Sequence, residues 1–318
     1  MHTNIKDLKT NDSFTDFYFL KNYTLGNKKN GDAFFRVELS DNTGTCNGIC
    51  WENPDSFDVN VKSIGTIVKV KGVMNEYNGS SQMRVFNIRN ARPEDAEFYD
   101  TGDIVSCAPI DKDEFKQAVE SMLGSIADDE YRQVAQTIYN EIEADFLTIP
   151  AGKSVHHSFR NGLLMHTTNM MKLSLCIAEQ YENVIDRDLL LTATFLHDVA
   201  KIQEFELSNL ELVSDYSCEG QLLGHLYMGA VKVRDACLKL GVDDHKRLML
   251  EHLILSHHGE PENGAVVMPK CAEAEALHII DLLDSRLEIF SEEYEALEVG
   301  QFSQKKNWAL DRKIYRNK

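Results

Sequence analysis

The sequence predicts a multidomain α+β protein, with an N-terminal five-stranded β-barrel followed by an all-α domain. Three observations carry this. Residues 14–92 read as short alternating strands with turn residues between them. From 113 onward the apolar pattern has a helical period. Ten of the eleven histidines lie at or after position 156. The division is therefore a barrel at 1–92, a linker at 93–112 and a helical domain at 113–318.

The strands justify themselves in order. "AFFRVEL" puts Ala33, Phe35, Val37 and Leu39 on one face and Phe34, Arg36 and Glu38 on the other. "DNTG" is a turn, and "TCNGICW" is a second strand. "GTIVKVKGV" sets Val68 and Val70 opposite Ile67, Lys69 and Lys71. "NEYNGSSQ" has turn chemistry, and "MRVFNI" closes the set. Several short strands with glycine-rich turns favour a small closed barrel. This order resembles the OB-fold modules of the tRNA-anticodon-binding type. Such barrels hold single-stranded nucleic acid by stacking bases on aromatics beside a basic groove. The candidates here are Phe34, Arg36, Lys69, Lys71, Tyr77 and Arg84. Trp51 and Phe86 read as core, as do Cys46 and Cys50.

Pro93, Gly102 and Pro109 punctuate the next stretch, which has no period and reads as a linker. Amphipathic helices follow. In the "GQLLGH" helix, Leu223, Leu226, Ala230, Val233, Cys237 and Leu240 form one apolar stripe.

The net charge of −18 argues against bulk attraction of nucleic acid. The charge is uneven. Residues 1–100 carry 12 basic against 14 acidic side chains, and 101–318 carry 21 against 37. The tail "KKNWALDRKIYRNK" reverses the sign, with Trp308 and Tyr315 among its cations. Seven scattered cysteines without a CxxC suit free thiols in a cytoplasmic setting. No stretch is long enough to span a bilayer, and the first residues lack a signal-peptide core. Homo-oligomer formation is compatible with all of this.

"TATFLHDVAK" raises the question of chemistry. Leu189, Ala193, Leu196 and Ala200 form a buried stripe, yet His197, Asp198 and Lys201 ride on the same stretch. Buried helices avoid charge unless it is paired or metal-bound. A single rigid helix carrying both ligands is the expectation. His166, His197, His225, His252, His257 and His258, with His278 and Asp281, fall at similar places in successive helices. Packed side by side, such helices can converge their ligands. Imidazole with carboxylate suits Mn, Fe, Co, Ni or Zn.

The order His166, His197-Asp198, Asp281 resembles the HD superfamily of metal-dependent phosphohydrolases. His225 and His257-His258 resemble the extra histidines of its two-metal members. "NGLLMHT", "LHDVAK", "GQLLGH", "HLILSHHGEPENGA" and "EALHIIDLLDS", behind the OB-type barrel, resemble the YhaM family of 3′-to-5′ exoribonucleases. Asn161 and Met165 stand where that pattern carries Gly and Glu. The Gly-Tyr-Pro of the cyclic-dinucleotide phosphodiesterases is absent.

The resemblance implies hydrolysis of single-stranded RNA, with single-stranded DNA as a second substrate, to nucleoside 5′-monophosphates. It implies one or two divalent ions, Mn²⁺ foremost. His166, His197, Asp198 and Asp281 would hold the first, and His225, His257 and His258 the second, with Asp198 shared. Asp198 and Lys201 would be catalytic, Lys201 meeting phosphate oxygens. His156, His157 and His278 are possible substrate contacts, and His252 reads as structural or as a support behind the ligands. The alternatives are a nucleotide or cyclic-dinucleotide phosphohydrolase with a regulatory barrel, and a non-catalytic single-strand-binding protein.

Overall fold

The computed structural model describes residues 2–28, 30–77, 80–105, 107–152, 159–208, 210–295 and 297–318, without the side chains of Tyr77 and Ser80. His156 and His157 lie outside the described residues. The chain forms two compact units. One is Met1–Cys107 with Leu207–Ser214, and the other is Ala108–Glu206 with Asp215–Lys318.

Five strands close the first unit: β1 (Ser13–Asn27), β2 (Ala33–Asp41), β3 (Gly44–Cys50), β4 (Ile67–Tyr77) and β5 (Ser80–Asn90). Their order is β1-β2-β3-β5-β4, with β4 returning to β1, the OB arrangement. The long β1 serves two partners. Its first half pairs with β4 and its second with β2, and a register shift between Leu20 and Asn22 bends it from one to the other. Tyr18, Leu20, Phe35, Val37, Leu39, Val68, Val70, Met83 and Val85 fill the interior, with Cys46 and Cys50 beside them. The alternation in β2 and β4 therefore reads the core as expected.

Two aromatics contradict that reading. Phe86 is 45% exposed and Trp51 is 44% exposed. Lys71 faces Asn87 and Gly72 faces Val85, so Phe86 is the extra residue of a bulge and is turned outward. Trp51 lies just past the end of β3, with its ring 4.9 Å from that of Phe34. Phe34 is buried beneath it.

Residues 93–107 are also more than a linker. They hold a 3-10 turn (Pro93–Phe98) and a short helix α1 (Thr101–Ile104). Ile104 and Val105 are buried with Phe17, Phe19, Ile67 and Leu212. Buried Asp95 takes both guanidinium nitrogens of Arg89, at 2.6 and 2.8 Å.

The second unit is built from α2 (Lys112–Gly124), α3 (Asp129–Phe146), α4 (Gly162–Gln180), α5 (Arg187–Leu196), α6 (Lys201–Glu204), α7 (Cys218–Leu240), α8 (Asp244–Ser256) and α9 (Ala272–Glu295). A two-stranded hairpin, β6 (Phe205–Leu207) and β7 (Val213–Tyr216), separates α6 from α7. Asp111, Asp128, Asp186 and Asp243 cap four of these helices by accepting N–H bonds of the first turn. One apolar core runs through α2–α5 and α7–α9, including Tyr139, Phe146 and Phe195 packed edge to face. No described helix is long and apolar enough to cross a membrane.

The barrel carries a built-in pH dependence. His2 is half-buried with its ring 5% exposed, Nε2 3.3 Å from Asp41 Oδ2 and Nδ1 3.2 Å from Asp16 Oδ1, the second an off-axis ion contact. Burial opposes its charge, but the two carboxylates outweigh burial and raise its pKa to about 9. A raised folded-state pKa stabilises fully below the unfolded value near 6.5 and loses that effect as pH passes 9. The barrel should therefore lose up to about 3 kcal/mol across this window. Denaturant melts of wild type and His2→Gln at several pH values check this. The wild type should slope more steeply than the mutant between pH 6.5 and 9, and parallel curves would refute it.

Candidate metal centre

α4 is preceded by Asn161, whose backbone is left-handed at φ 62°. It places fully buried His166 in its second turn. α5 stops at Leu196, so residues 197–200 are a turn rather than the continuous helix that the sequence pattern predicts. The tight 198-to-201 backbone bond belongs to that turn. It brings His197 Nε2 within 3.2 Å of Asp198 Oδ2, although the two are sequence neighbours.

The motif "GQLLGH" has a physical reading. A Cβ on Gly220 would lie 2.2 Å from the carbonyl oxygen of Glu204, so only glycine lets α7 approach there. Gly224 has φ 70° and breaks the helical course. The apolar stripe expected from Leu223 therefore starts only at Leu226. Leu223 and Leu240 are exposed. The break turns His225 so that its N–H and Nδ1 both meet Glu204 Oε1 at 2.9 Å. α8 ends at Ser256, and His257-His258 follow in the turn.

Every one of these histidines is held by Nδ1. His166 meets Asp284 Oδ2 at 2.7 Å, His197 the Thr194 carbonyl at 2.7 Å and His225 Glu204 at 2.9 Å. His257 meets the Ile254 carbonyl at 2.8 Å and His258 the Asn263 carbonyl at 3.0 Å. An Nδ1–H donor leaves Nε2 as a lone pair. The Nε2 atoms face inward and gather in two groups, His166 with His197 and Asp198, and His225 with His257 and His258.

Asp198 joins the groups. Its Oδ2 faces the first, 3.7 Å from His166, and its Oδ1 faces the second, 3.5 Å from His225 and 3.8 Å from His257. Asp281 of α9 adds an oxygen 3.4 Å from His166 Nε2. The donor set fits divalent metal. Lone pairs of five imidazoles point at one another, and buried His257 Nε2 and Asp198 Oδ1 have no hydrogen-bond partner.

Protonation agrees. Burial drives His257 and His258 below the usual imidazole range, into the neutral ligating form. Burial opposes charge on Asp198, but Lys201 and His197 keep it ionised well below the usual carboxylate range. His166 is raised to about 9 against burial by Asp281 and Asp284, a proton that a cation can replace.

A cleft of about 660 Å³ opens over the centre, lined by Lys201, His225, His258, Glu260, His278 and Arg286 among others. Lys201 Nζ also binds Asp198 Oδ2 at 2.6 Å. His278 lines the cleft while its Nδ1 meets the His257 carbonyl at 2.9 Å. His252 Nε2 accepts the Lys270 N–H, the structural role expected of it.

The barrel candidates divide. Arg36 and Arg84 line a groove of about 480 Å³ with Ile49, Trp51, Asn75, Glu76 and Gln82. Phe34 supports that groove from below, with the Arg36 guanidinium 5.1 Å from its ring centre. Lys69 and Lys71 line a separate cleft with Arg89, and Lys69 leans on Asp95 at 3.8 Å. The Tyr77 side chain lies outside the described residues. The sequence pattern missed Trp51 as a groove residue and Asp284 and Glu204 as supports. Asp284 lies one turn beyond Asp281, and Glu204 three residues beyond Lys201, spacings that share a helix face.

Comparison with known proteins follows the same lines. An HD domain model matches residues 163–286. The 3'-5' exoribonuclease YhaM of Bacillus subtilis is 32% identical over 300 residues, covering 94% of this chain and 93% of that protein. The chain belongs to the YhaM family. The YhaM of Bacillus licheniformis is 33% identical over 301 residues, with the same coverage. The second OB-fold domain of replication protein A from Methanococcus maripaludis has 25% identity, a TM-score of 0.23, and covers 28% of this chain and 92% of that one. The departure from the YhaM pattern at Asn161 is conformationally mild. Asparagine, after glycine, best tolerates the left-handed backbone found there.

Asp284 belongs to neither group of donors, yet through His166 Nδ1 it orients that ring and raises its basicity. Asp284→Asn should weaken metal binding by roughly 10–100-fold with the fold retained. Titration calorimetry with Mn²⁺ and far-UV circular dichroism check this. Wild-type affinity in the mutant would remove Asp284 from the centre.

Proposed function

We propose that this protein is a metal-dependent 3′-to-5′ exoribonuclease. It degrades single-stranded RNA, accepts single-stranded DNA as well, and releases nucleoside 5′-monophosphates. The observation that carries this reading is the pair of inward-facing donor groups sharing Asp198, in a chain that belongs to the YhaM family. His166, His197, Asp198 and Asp281 would hold one ion, and His225, His257 and His258 the other. Mn²⁺ is the proposed metal, since mixed imidazole and carboxylate ligands suit it. Bound divalent ions supply a hydroxide-like nucleophile at neutral pH and neutralise phosphoryl oxygens.

The chain's own residues do the rest. The fixed imidazoles hold their lone pairs in place, so little reorganisation is needed during reaction. Lys201, at the cleft edge of Asp198, meets a non-bridging phosphate oxygen as charge develops. His278 and the cleft walls position the terminal nucleotide. The barrel groove holds the strand, with a base stacked on Trp51 and phosphates near Arg36 and Arg84. The cysteines are all free thiols, in keeping with a cytoplasmic location.

His197→Ala and Asp198→Ala should each lower turnover at least about a thousandfold while leaving the helical core folded. The assay is a 5′-labelled single-stranded RNA with a metal panel. The label should persist on a ladder shortening from its 3′ end. Full activity in either mutant, or cleavage of cyclic dinucleotides in preference to the strand, would defeat the reading.

A Trp51→Ala/Arg84→Ala double mutant separates grip from chemistry. Affinity for a long strand should fall about tenfold or more, since stacking is worth about 1–3 kcal/mol per base. Hydrolysis of a dinucleotide should stay as in wild type, because remote binding does not set its barrier. Equal losses on both substrates would place the groove outside strand binding.

A further inference from the structure

Residues 299–318 form a folded hairpin. Phe302 pairs with Tyr315 and Asn307 with Arg312 as antiparallel bridges. Ser303 N–H meets the Ile314 carbonyl at 2.7 Å, and Gly300 N–H meets that of Arg316 at 2.8 Å. Asn307 Oδ1 closes the turn by accepting N–H bonds from Ala309 and Leu310. Leu310 and Ile314 are buried with Ile289 of α9 and pack on Phe290, Tyr294 and Leu297. Two inward aliphatics thus fix the directions of the outward groups.

Those outward groups are aromatic and cationic. Trp308 is 74% exposed, Phe302 63% and Tyr315 43%. The Phe302 and Tyr315 rings lie 4.9 Å apart. Among the described residues, no ring or cation packs on Trp308. Five of the basic residues do different work. Arg316 donates to the carbonyls of Tyr294 and Leu297 at the end of α9, and Arg312 Nε donates to the Leu310 carbonyl. Lys306 pairs with Asp311 at 3.1 Å. Lys305 and Lys313 are exposed, and neither ammonium has a partner among the described residues. The hairpin reverses the acidic balance of residues 101–318.

We infer that this hairpin is a second contact for single-stranded RNA, with a base stacked on Trp308 and phosphates on Lys305 and Lys313. The inference rests on the exoribonuclease reading for its polymeric substrate. The charge favours a polyanion over a second copy, because two such hairpins repel. Exposed aromatics among unpaired cations are what a sequence-tolerant strand contact requires. Roughly 20 Å of helix axis separates Asp281 from Tyr294 on α9, so a dinucleotide at the centre does not reach the hairpin and a longer strand does.

The chain has two tryptophans, so Trp51→Phe makes Trp308 its sole indole. This variant, stripped of metal with EDTA, is titrated with a long oligouridylate carrying an end label. Label anisotropy reports binding, and indole emission reports the hairpin. Trp308 emission should be quenched in step with anisotropy. Lys305→Ala/Lys313→Ala should flatten the slope of log affinity against log salt by about 1.4, at 0.7 per single-strand phosphate contact. With metal, Trp308→Ala should raise KM for the long strand severalfold and leave dinucleotide hydrolysis unchanged. Strand binding with constant Trp308 emission would overturn the inference alone. Emission that tracks protein concentration without RNA would also overturn it, in favour of a subunit contact. No strand binding by the wild type would overturn the exoribonuclease reading with it.

Discussion

One buried carboxylate organises the helical unit. Asp198 is 2% exposed, and an isolated ion in that position costs several kcal/mol. Lys201 answers part of the charge through Oδ2. The imidazoles reaching Asp198 come from α4, the turn after α5, α7 and the turn after α8, and α9 adds Asp281 beside His166. Each of these elements must arrive at one point in one register. The apolar core joining them, from Leu163 through Leu253 to Ile280, holds that register. The packing of the domain and the geometry of its centre are therefore one constraint.

The four imidazoles around Asp198 are aimed in two ways, and each leaves a mark on the fold. His197 and His257 follow directly on helix ends, and each reaches back to a carbonyl three residues earlier. Those carbonyls lack intrahelical partners, so the helix end itself supplies the anchor. This is why α5 and α8 must stop where they do. His166 and His225 lie inside helices, where no free carbonyl exists, and carboxylates from other elements do the work instead. Asp284 and Glu204 also make the ring nitrogens better donors to a cation.

Much of this was legible in the sequence, because periodicity reports which face is buried. Val68 and Val70 in β4, and Phe35, Val37 and Leu39 in β2, fall where alternation puts them. The ligand order could be read because each histidine sits in a distinctive local run. What escaped was set by single-residue backbone events. The bulge at Phe86 turned a core prediction outward, and the break at Gly224 displaced Leu223. Leu207–Ser214 groups with the barrel through buried Leu212, a long-range contact that no local pattern encodes. Asp284 and Glu204 were hidden because an acidic residue on an acidic helix carries no signal until its partner is seen.

The acidity of the chain is compatible with a polyanionic substrate because charge acts locally. At physiological salt the screening length is about 8 Å, so a net charge of −18 does not set the field inside a groove. Many of the acids are already matched. Lys246 takes Asp128 and Glu130, and Arg234 and Arg247 both take Glu251. Of the acids of the centre, Asp198 is buried and Asp281 half-buried, and they face imidazoles or Lys201. Among the described cations without an ion pair are Arg36 and Arg84 in the groove with Trp51, and Lys305 and Lys313 in the hairpin with Trp308. On the proposed reading, aromatic faces set among such cations favour strands with accessible bases over duplexes, whose bases are already stacked on one another.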